Sequence, residues 1–354
     1  MSGIGADLLY VIGIAVMFLV LIAPHEGGHF LVAKLCGVRV IEFSIGAGTK
    51  LWSMTRNGTV YAIRLIPIIG YVRMGGMEAG DFNEPNGFHS KAPLQRIAIL
   101  VAGPVANFVV AIVLITGFSL TQLNSDPGKV VGTVNGSAAA TAGIKPGDSI
   151  KTVGGKQIKA PENIQQAEVA AAGKPVLVTG THKDGTPFSV LVTPTSKDGS
   201  YQMGVFVARI TTPLTAVQTG VTFPIQAVQV IVQGLAALVT GQVPGGLFGN
   251  AGLTGPIGIA AITYDAVNQG PATYVWLVAL LSVALGVTNL LPLLALDGGR
   301  IVIVILEWLR RRPFDRNSEL NFQRWGLVAL LALAAVISFL DIQRIATGQF
   351  PGVR

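Results

Sequence analysis

Two kinds of residue are scarce in this sequence, and each scarcity excludes a class of protein. The 354 residues include one cysteine, Cys36, so an internal disulfide framework and a multi-cysteine metal site are both excluded. Charged residues make up 12% of the chain, whereas soluble domains carry about 25%. Because 51% of the residues are hydrophobic, the chain must face lipid or enclose a very large apolar core.

The net charge of +7 does not indicate a nucleic-acid-binding protein. The basic residues concentrate in two connecting segments, 39–96 and 310–324, which flank apolar stretches. Membrane proteins mark their cytoplasmic loops in this way. The sequence has no interleaved aromatic and basic residues and no nucleic-acid motif, so we expect no nucleic acid among its partners.

Four apolar segments predict about four membrane spans, because each has the roughly 20 apolar residues that a crossing needs. They lie near residues 8–35, 94–120, 273–308 and 325–340, and the third is interrupted around 289–300. A cleaved signal peptide is not expected, since no Lys or Arg precedes the first segment. Basic residues follow that segment instead, which predicts an extracytoplasmic N-terminus.

Residues 121–209 have the composition of a small soluble domain. Eight lysines, glycine-containing turns and short runs of Val, Ile and Thr predict a compact β-rich domain with one helix near 161–172. Residues 211–264 carry no charge, but glutamines and prolines interrupt them. A helix over 214–239 is expected to lie on the membrane surface. A further membrane span is the alternative.

The most informative stretch is His25-Glu26-Gly27-Gly28-His29, an H-E-x-x-H pattern inside an apolar segment. On a helix, residues four apart project from one face, so His25 and His29 can hold one zinc ion. Glu26 points in a neighbouring direction, where its carboxylate can take a proton from a water held by the zinc. Ionisable groups are costly in lipid and usually mark function. The pattern predicts a zinc hydrolase site inside the membrane.

The interruption of the third apolar segment supplies a third candidate ligand, Asp297. Pro292 disrupts a helix, and the glycine pair at 298–299 permits a close backbone approach. A carboxylate at such a place needs a partner, and a zinc ion held by the two histidines is one. The fourth zinc position then stays open for water or substrate. With four spans, the first and third run in the same direction and bring the ligands to similar depth, toward the cytoplasmic side.

The segment between the first two spans predicts a β-hairpin-like element. Residues 60–74 are apolar and β-prone, with turn signals at 57–58 and 75–76. Non-helical backbone is tolerated at membrane depth only where it packs on protein or lines a cavity. We therefore expect this element to dip in beside the zinc site; a small cytosolic sheet is the alternative.

Together these motifs resemble the site-2 proteases, the zinc intramembrane proteases of regulated intramembrane proteolysis. The resemblance covers nearly the whole chain and is closest to bacterial members with four spans and one extracytoplasmic PDZ domain. It rests on H-E-G-G-H at 25–29, G-P-V-A-N at 103–107, I-P-I-I-G-Y-V-R-M at 66–74, the stretch 289–299, and PDZ-like A-G-I-K-P-G-D at 142–148.

The resemblance implies a role for each residue of the site. It implies that His25, His29 and Asp297 bind one catalytic Zn²⁺, that Glu26 is the catalytic base, and that Asn289 helps to hold the substrate. A bland alternative for Asn289, and for the other intramembrane asparagine at position 107, is that each ties helices together.

A substrate is expected to be a single-span membrane protein whose helix unwinds locally and pairs with the hairpin-like element. Main-chain pairing of this kind binds peptides with little side-chain selectivity. The residues expected to bind the substrate strand are Ile68, Ile69, Gly70 and Tyr71. The family implies that anti-sigma factors or remnant signal peptides are cut after a first extracytoplasmic cleavage, and that the PDZ-like domain acts as a size filter or binds a peptide or protein ligand.

The predicted fold is a polytopic α-helical protein of the bacterial cytoplasmic membrane, with a membrane-associated β-hairpin-like element and an inserted extracytoplasmic β-rich PDZ domain. A transporter that uses His, Glu and Asp as an ion path, or an inactive PDZ-bearing scaffold, are the other function classes. The predicted segments are the first span (1–38), the β-rich loop (39–93), the second span (94–120), the PDZ-like domain (121–209), an interfacial segment (210–270), the third span (271–309), a basic cytoplasmic loop (310–324) and the fourth span with the tail (325–354).

Overall fold

The computed structural model of the chain describes residues 3–78, 80–197, 200–250 and 252–350. Its contacts divide the chain into two units. The helical unit comprises Met1–Thr116 and Gly220–Arg354, and the insert is Gly117–Thr219. The α-helices of the described residues are α1 (Gly3–Leu35), α2 (Pro93–Thr121), α3 (Ala138–Thr141), α4 (Glu162–Ala171), α5 (Pro213–Val239), α6 (Pro256–Gln269), α7 (Pro271–Leu290), α8 (Asp297–Arg310) and α9 (Arg316–Ala346).

Among the described residues, five helices are long and apolar enough to cross a membrane, one more than the sequence predicts. They are Leu8–Leu35 within α1, and the whole of α2, α5, α7 and α9. The additional candidate is α5. The mean hydropathy of α5 is 1.6, which is close to the 1.7 of α7. The glutamines of α5 lower this value, and the long apolar side chains between the glutamines raise it.

The direction of α2 is opposite to that of α1. The backbone carbonyl of Ile99 lies beside His29, and Asn107, two turns further along α2, lies beside His25. The two helices approach closely because α1 carries a glycine at the contact. A Cβ added at Gly28 would lie 2.3 Å from the carbonyl oxygen of Ala102.

The direction of α7 is the same as that of α1. The hydroxyl of Tyr274, at the start of α7, donates a hydrogen bond to the carbonyl of Gly13 (2.6 Å), and Asp297, which follows α7, reaches the two histidines of α1. The chain must therefore leave α2 and enter α7 on the same side of the helical unit. If α5 crossed the membrane and α6 did not, the chain would reach α7 on the side opposite to the end of α2. The segment that contains α5 and α6 must therefore begin and end on the same side.

The third apolar segment is broken between α7 and α8, as the Pro and Gly pattern predicts. Residues 291–296 form the break, and Asp297 is the first residue of α8. The two glycines after Asp297 are needed sterically. A Cβ at Gly298 or at Gly299 would lie 2.2 Å from the carbonyl oxygen of Leu291 or of Leu293, respectively. The break can fold this tightly only because both positions lack a side chain.

The segment after α1 is an antiparallel hairpin of β1 (Val40–Arg56) and β2 (Thr59–Met74), closed by Asn57 and Gly58, which both have positive φ. Residues 43–45 of β1 pair with 70–72 and also with 61–63. This part of β1 is therefore interior to the sheet. Residues 70–74 pair with β1 alone within the described part of the chain, so their other edge carries no strand.

The insert is β-rich, and its helix α4 lies where the sequence predicts one. Its main sheet is antiparallel with the order β5-β4-β6-β7. Apolar residues that alternate along these strands form a core of their own, including Ile150, Val153 and Val178. The strands are β3 (Val130–Thr133), β4 (Ser149–Val153), β5 (Lys156–Gln157), β6 (Val176–Thr181), β7 (Pro187–Val192), β8 (Thr195–Lys197), β9 (Ser200–Gln202) and β10 (Val205–Val207).

Candidate metal centre

His25 and His29 lie on one face of α1, one helical turn apart. Their Nε2 atoms are 3.3 Å apart, and the residues are only 7% and 6% exposed. The rings meet edge to face, with centroids 4.8 Å apart. Two Nε2 atoms at this distance can bind one common partner.

Asp297 brings a third donor atom to the same point. Its Oδ2 lies 3.4 Å from Nε2 of His25 and 3.2 Å from Nε2 of His29. Zinc bonds to nitrogen and oxygen of about 2.0–2.1 Å, arranged tetrahedrally, place neighbouring ligand atoms about 3.3 Å apart. The three measured separations match one face of such a tetrahedron. Within the described residues, this group is the one that could hold a metal ion.

The chemistry of the donor set also fits zinc. Oδ2 of Asp297 is buried and accepts no hydrogen bond from the described residues, so a cation held with the two imidazoles would satisfy it. Two imidazoles and one carboxylate leave the fourth tetrahedral position open, as a catalytic zinc site requires.

Residues of α2 surround the two imidazoles. The Nδ1 atom of His29 is 2.7 Å from the carbonyl oxygen of Ile99, and Nδ1 of His25 is 3.3 Å from the side-chain amide of Asn107. A Cβ at Gly103 would lie only 2.2 Å from Nε2 of His29. The space that Gly103 leaves is filled by a candidate zinc ligand. The carbonyl of Ile99 has no sequence signal, because any residue supplies one.

Glu26 lies on the neighbouring side of α1, where β2 packs against it. A Cβ at Gly70 would be 2.7 Å from Cγ2 of Ile22 and 2.9 Å from Cγ of Glu26. The hairpin therefore passes directly over the carboxylate. Residues 70–74, whose outer edge is unpaired, start at this contact.

The other residues predicted to bind substrate differ in their exposure and in their hydrogen bonds. Ile69 is 58% exposed, and the hydroxyl of Tyr71 accepts a hydrogen bond from Nη2 of Arg64 (2.8 Å). The side chain of Ile68 lies outside the described part of the structure. Nδ2 of Asn289 donates to the carbonyl of Leu285 in its own helix (3.1 Å), so substrate contact by Asn289 stays a prediction.

The fold and this centre define a membrane protein with several apolar helices and a zinc-hydrolase donor set. The family model of peptidase family M50 matches residues 13–333. The chain belongs to this family, that of the site-2 proteases, and is a zinc metalloprotease with Zn²⁺ as its cofactor. Membership of a peptidase family sets aside the transporter and the inactive scaffold.

Curated relatives match almost from end to end. The zinc metalloprotease RasP of Bacillus licheniformis is 30% identical, across 95% of this chain and 99% of that protein. The regulator of sigma-W protease RasP of Bacillus subtilis is 29% identical, across 95% and 98%. The metalloprotease MmpA of Caulobacter vibrioides is 29% identical, across 98% of both proteins.

Proposed function

We propose that this protein is an intramembrane endopeptidase that cuts transmembrane segments of single-span membrane proteins after a first extracytoplasmic cut. The observation that carries the proposal is the convergence of His25, His29 and Asp297 to mutual distances of 3.2–3.4 Å within an apolar helical unit. Such a centre serves hydrolysis where a carboxylate stands next to it, and Glu26 is the adjacent candidate.

In the proposed mechanism, His25, His29 and Asp297 would hold the zinc ion. Bound there, zinc would supply a Lewis acid for the scissile carbonyl and for the attacking water. Glu26 takes the proton from the attacking water and then delivers it to the nitrogen of the leaving amine, so one carboxylate serves first as base and then as acid. The C–N bond breaks, and the two products are a carboxylate and an amine.

Residues 70–74 are the proposed docking strand for the substrate. A transmembrane helix hides its peptide bonds in its own hydrogen bonds, so the substrate must unwind before it can be cut. The unpaired edge of this segment offers main-chain donors and acceptors to the unwound strand. Since the segment begins beside Glu26, a paired strand would bring its peptide bonds to the carboxylate.

The proposed substrates are anti-sigma-factor-like proteins or remnant signal peptides, and the proposed location is the bacterial cytoplasmic membrane. The name of the Bacillus subtilis relative, a regulator of sigma-W protease, supports the first of these classes. An extracytoplasmic N-terminus and insert, with the zinc site toward the cytoplasm, agree with the basic segments at 39–96 and 310–324.

The insert is proposed to be a PDZ domain that excludes substrates with bulky outer domains. Deleting residues 121–208 should then allow cleavage of a substrate whose outer domain is intact. The measurement compares cleavage of full-length and pre-cut substrate by the wild type and the deletion variant. If the deletion variant is folded, binds zinc and keeps the wild-type preference for pre-cut substrate, the size-filter role is wrong.

The test of the proposed function is Glu26→Gln, which keeps the shape of the side chain but removes its basicity. Purified full-length variant should retain zinc in stoichiometric amount and lose cleavage of a membrane-anchored substrate. Comparing membrane stubs that accumulate in cells with this variant would also identify the natural substrates. Cleavage retained by the variant would exclude Glu26 as the base.

A further inference from the structure

The two imidazoles of the zinc site differ in the group that contacts Nδ1, the ring nitrogen that faces away from the proposed zinc position. Nδ1 of His29 is 2.7 Å from the carbonyl of Ile99, a backbone oxygen that can only accept. Nδ1 of His25 faces the side-chain amide of Asn107, which offers either a donor or an acceptor. The orientation of His29 is thus set by the backbone, whereas that of His25 depends on one side chain.

Zinc binding fixes the proton on each ring. A neutral imidazole carries one N–H, and the nitrogen that binds metal must be the one without it. Since Nε2 of His25 points to the common donor point, its Nδ1 must carry the hydrogen. An Nδ1–H needs an acceptor, and the partner of Nδ1 within the described residues is the amide of Asn107.

The unsatisfied atom of Asn107 identifies which end of the amide must face the ring. With Nδ2 toward His25, two donors would meet in the zinc-bound state, and Oδ1 is buried without a hydrogen-bond partner in the part of the chain that the structure describes. Nitrogen and oxygen of an amide have nearly the same shape, and the hydrogen-bond network decides between them. A half-turn of the amide places Oδ1 at His25, where it accepts from Nδ1–H, and removes the meeting of two donors.

We propose that Asn107 is a positioning residue that holds His25 in the tautomer and orientation that bind zinc. This inference rests on the proposed function, in which His25 is a ligand. Asn107 is fully buried, and Oγ of Ser282 on α7 donates to its backbone carbonyl (2.9 Å). The backbone of Asn107 is therefore also held from a second helix. Second contacts of this type change metal affinity by about 10- to 100-fold.

The competing role for Asn107 is a helix tie in which Nδ2 donates to Nδ1 of His25. The two roles make opposite predictions for an Asn107→Leu variant, which has a similar volume and no polar atom. It should weaken zinc binding if Asn107 accepts from Nδ1–H, and should not weaken it if Asn107 donates, because the zinc-bound ring offers that donor no acceptor. An Asn107→Asp variant keeps an acceptor and has no donor, so it should preserve zinc binding if Asn107 accepts.

The experiment measures zinc retained by the full-length protein in detergent against a graded series of chelator concentrations. We expect Asn107→Leu to lose zinc at chelator activity about 10- to 100-fold lower than the wild type and Asn107→Asp to remain close to it. Ser282→Ala is the matched control, because it removes the bond to the backbone of Asn107 but not the acceptor at His25. Circular dichroism of the zinc-free proteins reports whether each variant is folded, and Asn107→Ala replaces the Leu variant if that one is not.

The outcomes separate this inference from the function on which it rests. His25→Ala should abolish stoichiometric zinc; if it does not, the proposed zinc site itself is wrong. If His25→Ala loses zinc while a folded Leu or Ala variant at position 107 keeps wild-type affinity, only the positioning role is overturned. An Asp variant as weak as the Leu variant would also overturn it, because an acceptor at position 107 would then not sustain zinc binding.

Discussion

At the scale of single residues, the candidate metal centre depends on glycines, which leave space for other groups, as well as on its ligands. Gly28 lets α2 approach α1, Gly103 leaves room for His29, and Gly70 lets β2 pass over Glu26. Each glycine faces a different element, so they could not be recognised as one group in the sequence. The structure shows that all three border the same site.

Gly103→Ala should displace the ring of His29, because the new Cβ would lie 2.2 Å from its Nε2. A displacement of about 1 Å at a reacting centre costs on the order of 100-fold in rate. We expect a loss of that order in cleavage together with weaker zinc binding in the chelator series. Gly117→Ala on the same helix is the control, since a Cβ there meets no atom within 4 Å. Equal effects at the two positions would refute the steric explanation.

His89 predicts a pH dependence of stability. Burial, together with the charges of Arg316 and Arg96, lowers the pKa of His89 to about 3. An unfolded histidine has a pKa of about 6.5, so below that pH the unfolded chain binds a proton that the folded chain does not. The contribution of His89 to stability is therefore complete above pH ~6.5 and is lost as the pH falls toward 3.

The measurement is the free energy of unfolding in detergent between pH 7 and pH 4, for the wild type and for His89→Phe. Phenylalanine keeps the ring between Phe82 and Phe88 but takes up no proton. We expect the variant to lose less stability on acidification, by at most about 1.4 kcal/mol per pH unit. If the free energies of unfolding of the two proteins fell equally between pH 7 and pH 4, protonation of His89 would not be the cause of the loss of stability.

At the scale of elements, the hairpin and the broken third segment are the parts that the sequence predicts best. Asn57-Gly58 predicts the turn, and Pro292 with the glycine pair predicts the break, because these residue types have few alternative conformations. The double pairing of residues 43–45 was not predictable. It depends on contacts between distant parts of β1 and β2, which no local pattern specifies.

Gly70→Ala should impair catalysis without removing the metal. The three atoms nearest to its Cβ would belong to Ile22, Glu26 and Ser44, not to a zinc ligand. We expect cleavage to fall while zinc retention stays at the wild-type level. Leu51→Ala, at an exposed position of β1, is the control and should cleave normally. Zinc loss in the Gly70 variant would mean that β2 supports the metal centre rather than the base.

At the scale of the whole molecule, the path of the chain between α2 and α7 decides the topology. The parallel arrangement of α1 and α7 requires that the chain return to the side where α2 ends. α6 has 14 residues and spans about 21 Å, less than the ~30 Å hydrocarbon layer. That α5 lies along the membrane surface stays a prediction; against it, Phe223 and Ala227 of α5 pack in one buried cluster with Ala111 of α2 and Val283 of α7.

Labelling of single cysteines tests this prediction. Because Cys36 is the only natural cysteine, a Cys36→Ser background is free of thiols. A cysteine at Gly241, just beyond α5, should react with an impermeant reagent from the extracytoplasmic side of sealed cells, and one at Arg312, between α8 and α9, should not. Protection of both positions would show that α5 crosses the bilayer and that the following segment brings the chain back.

Composition and short motifs were enough to predict the membrane class, the apolar helices, the hairpin turn and the candidate zinc ligands, because spacing on one helix sets which side chains share a face. The folded structure was needed to show that Asp297 lies within 3.4 Å of both histidines, that Gly70 packs against Glu26, and that Asn107 and Ile99 contact the two rings. Those contacts join residues up to 272 positions apart, and their geometry arises from the packing of whole helices, which local sequence does not encode.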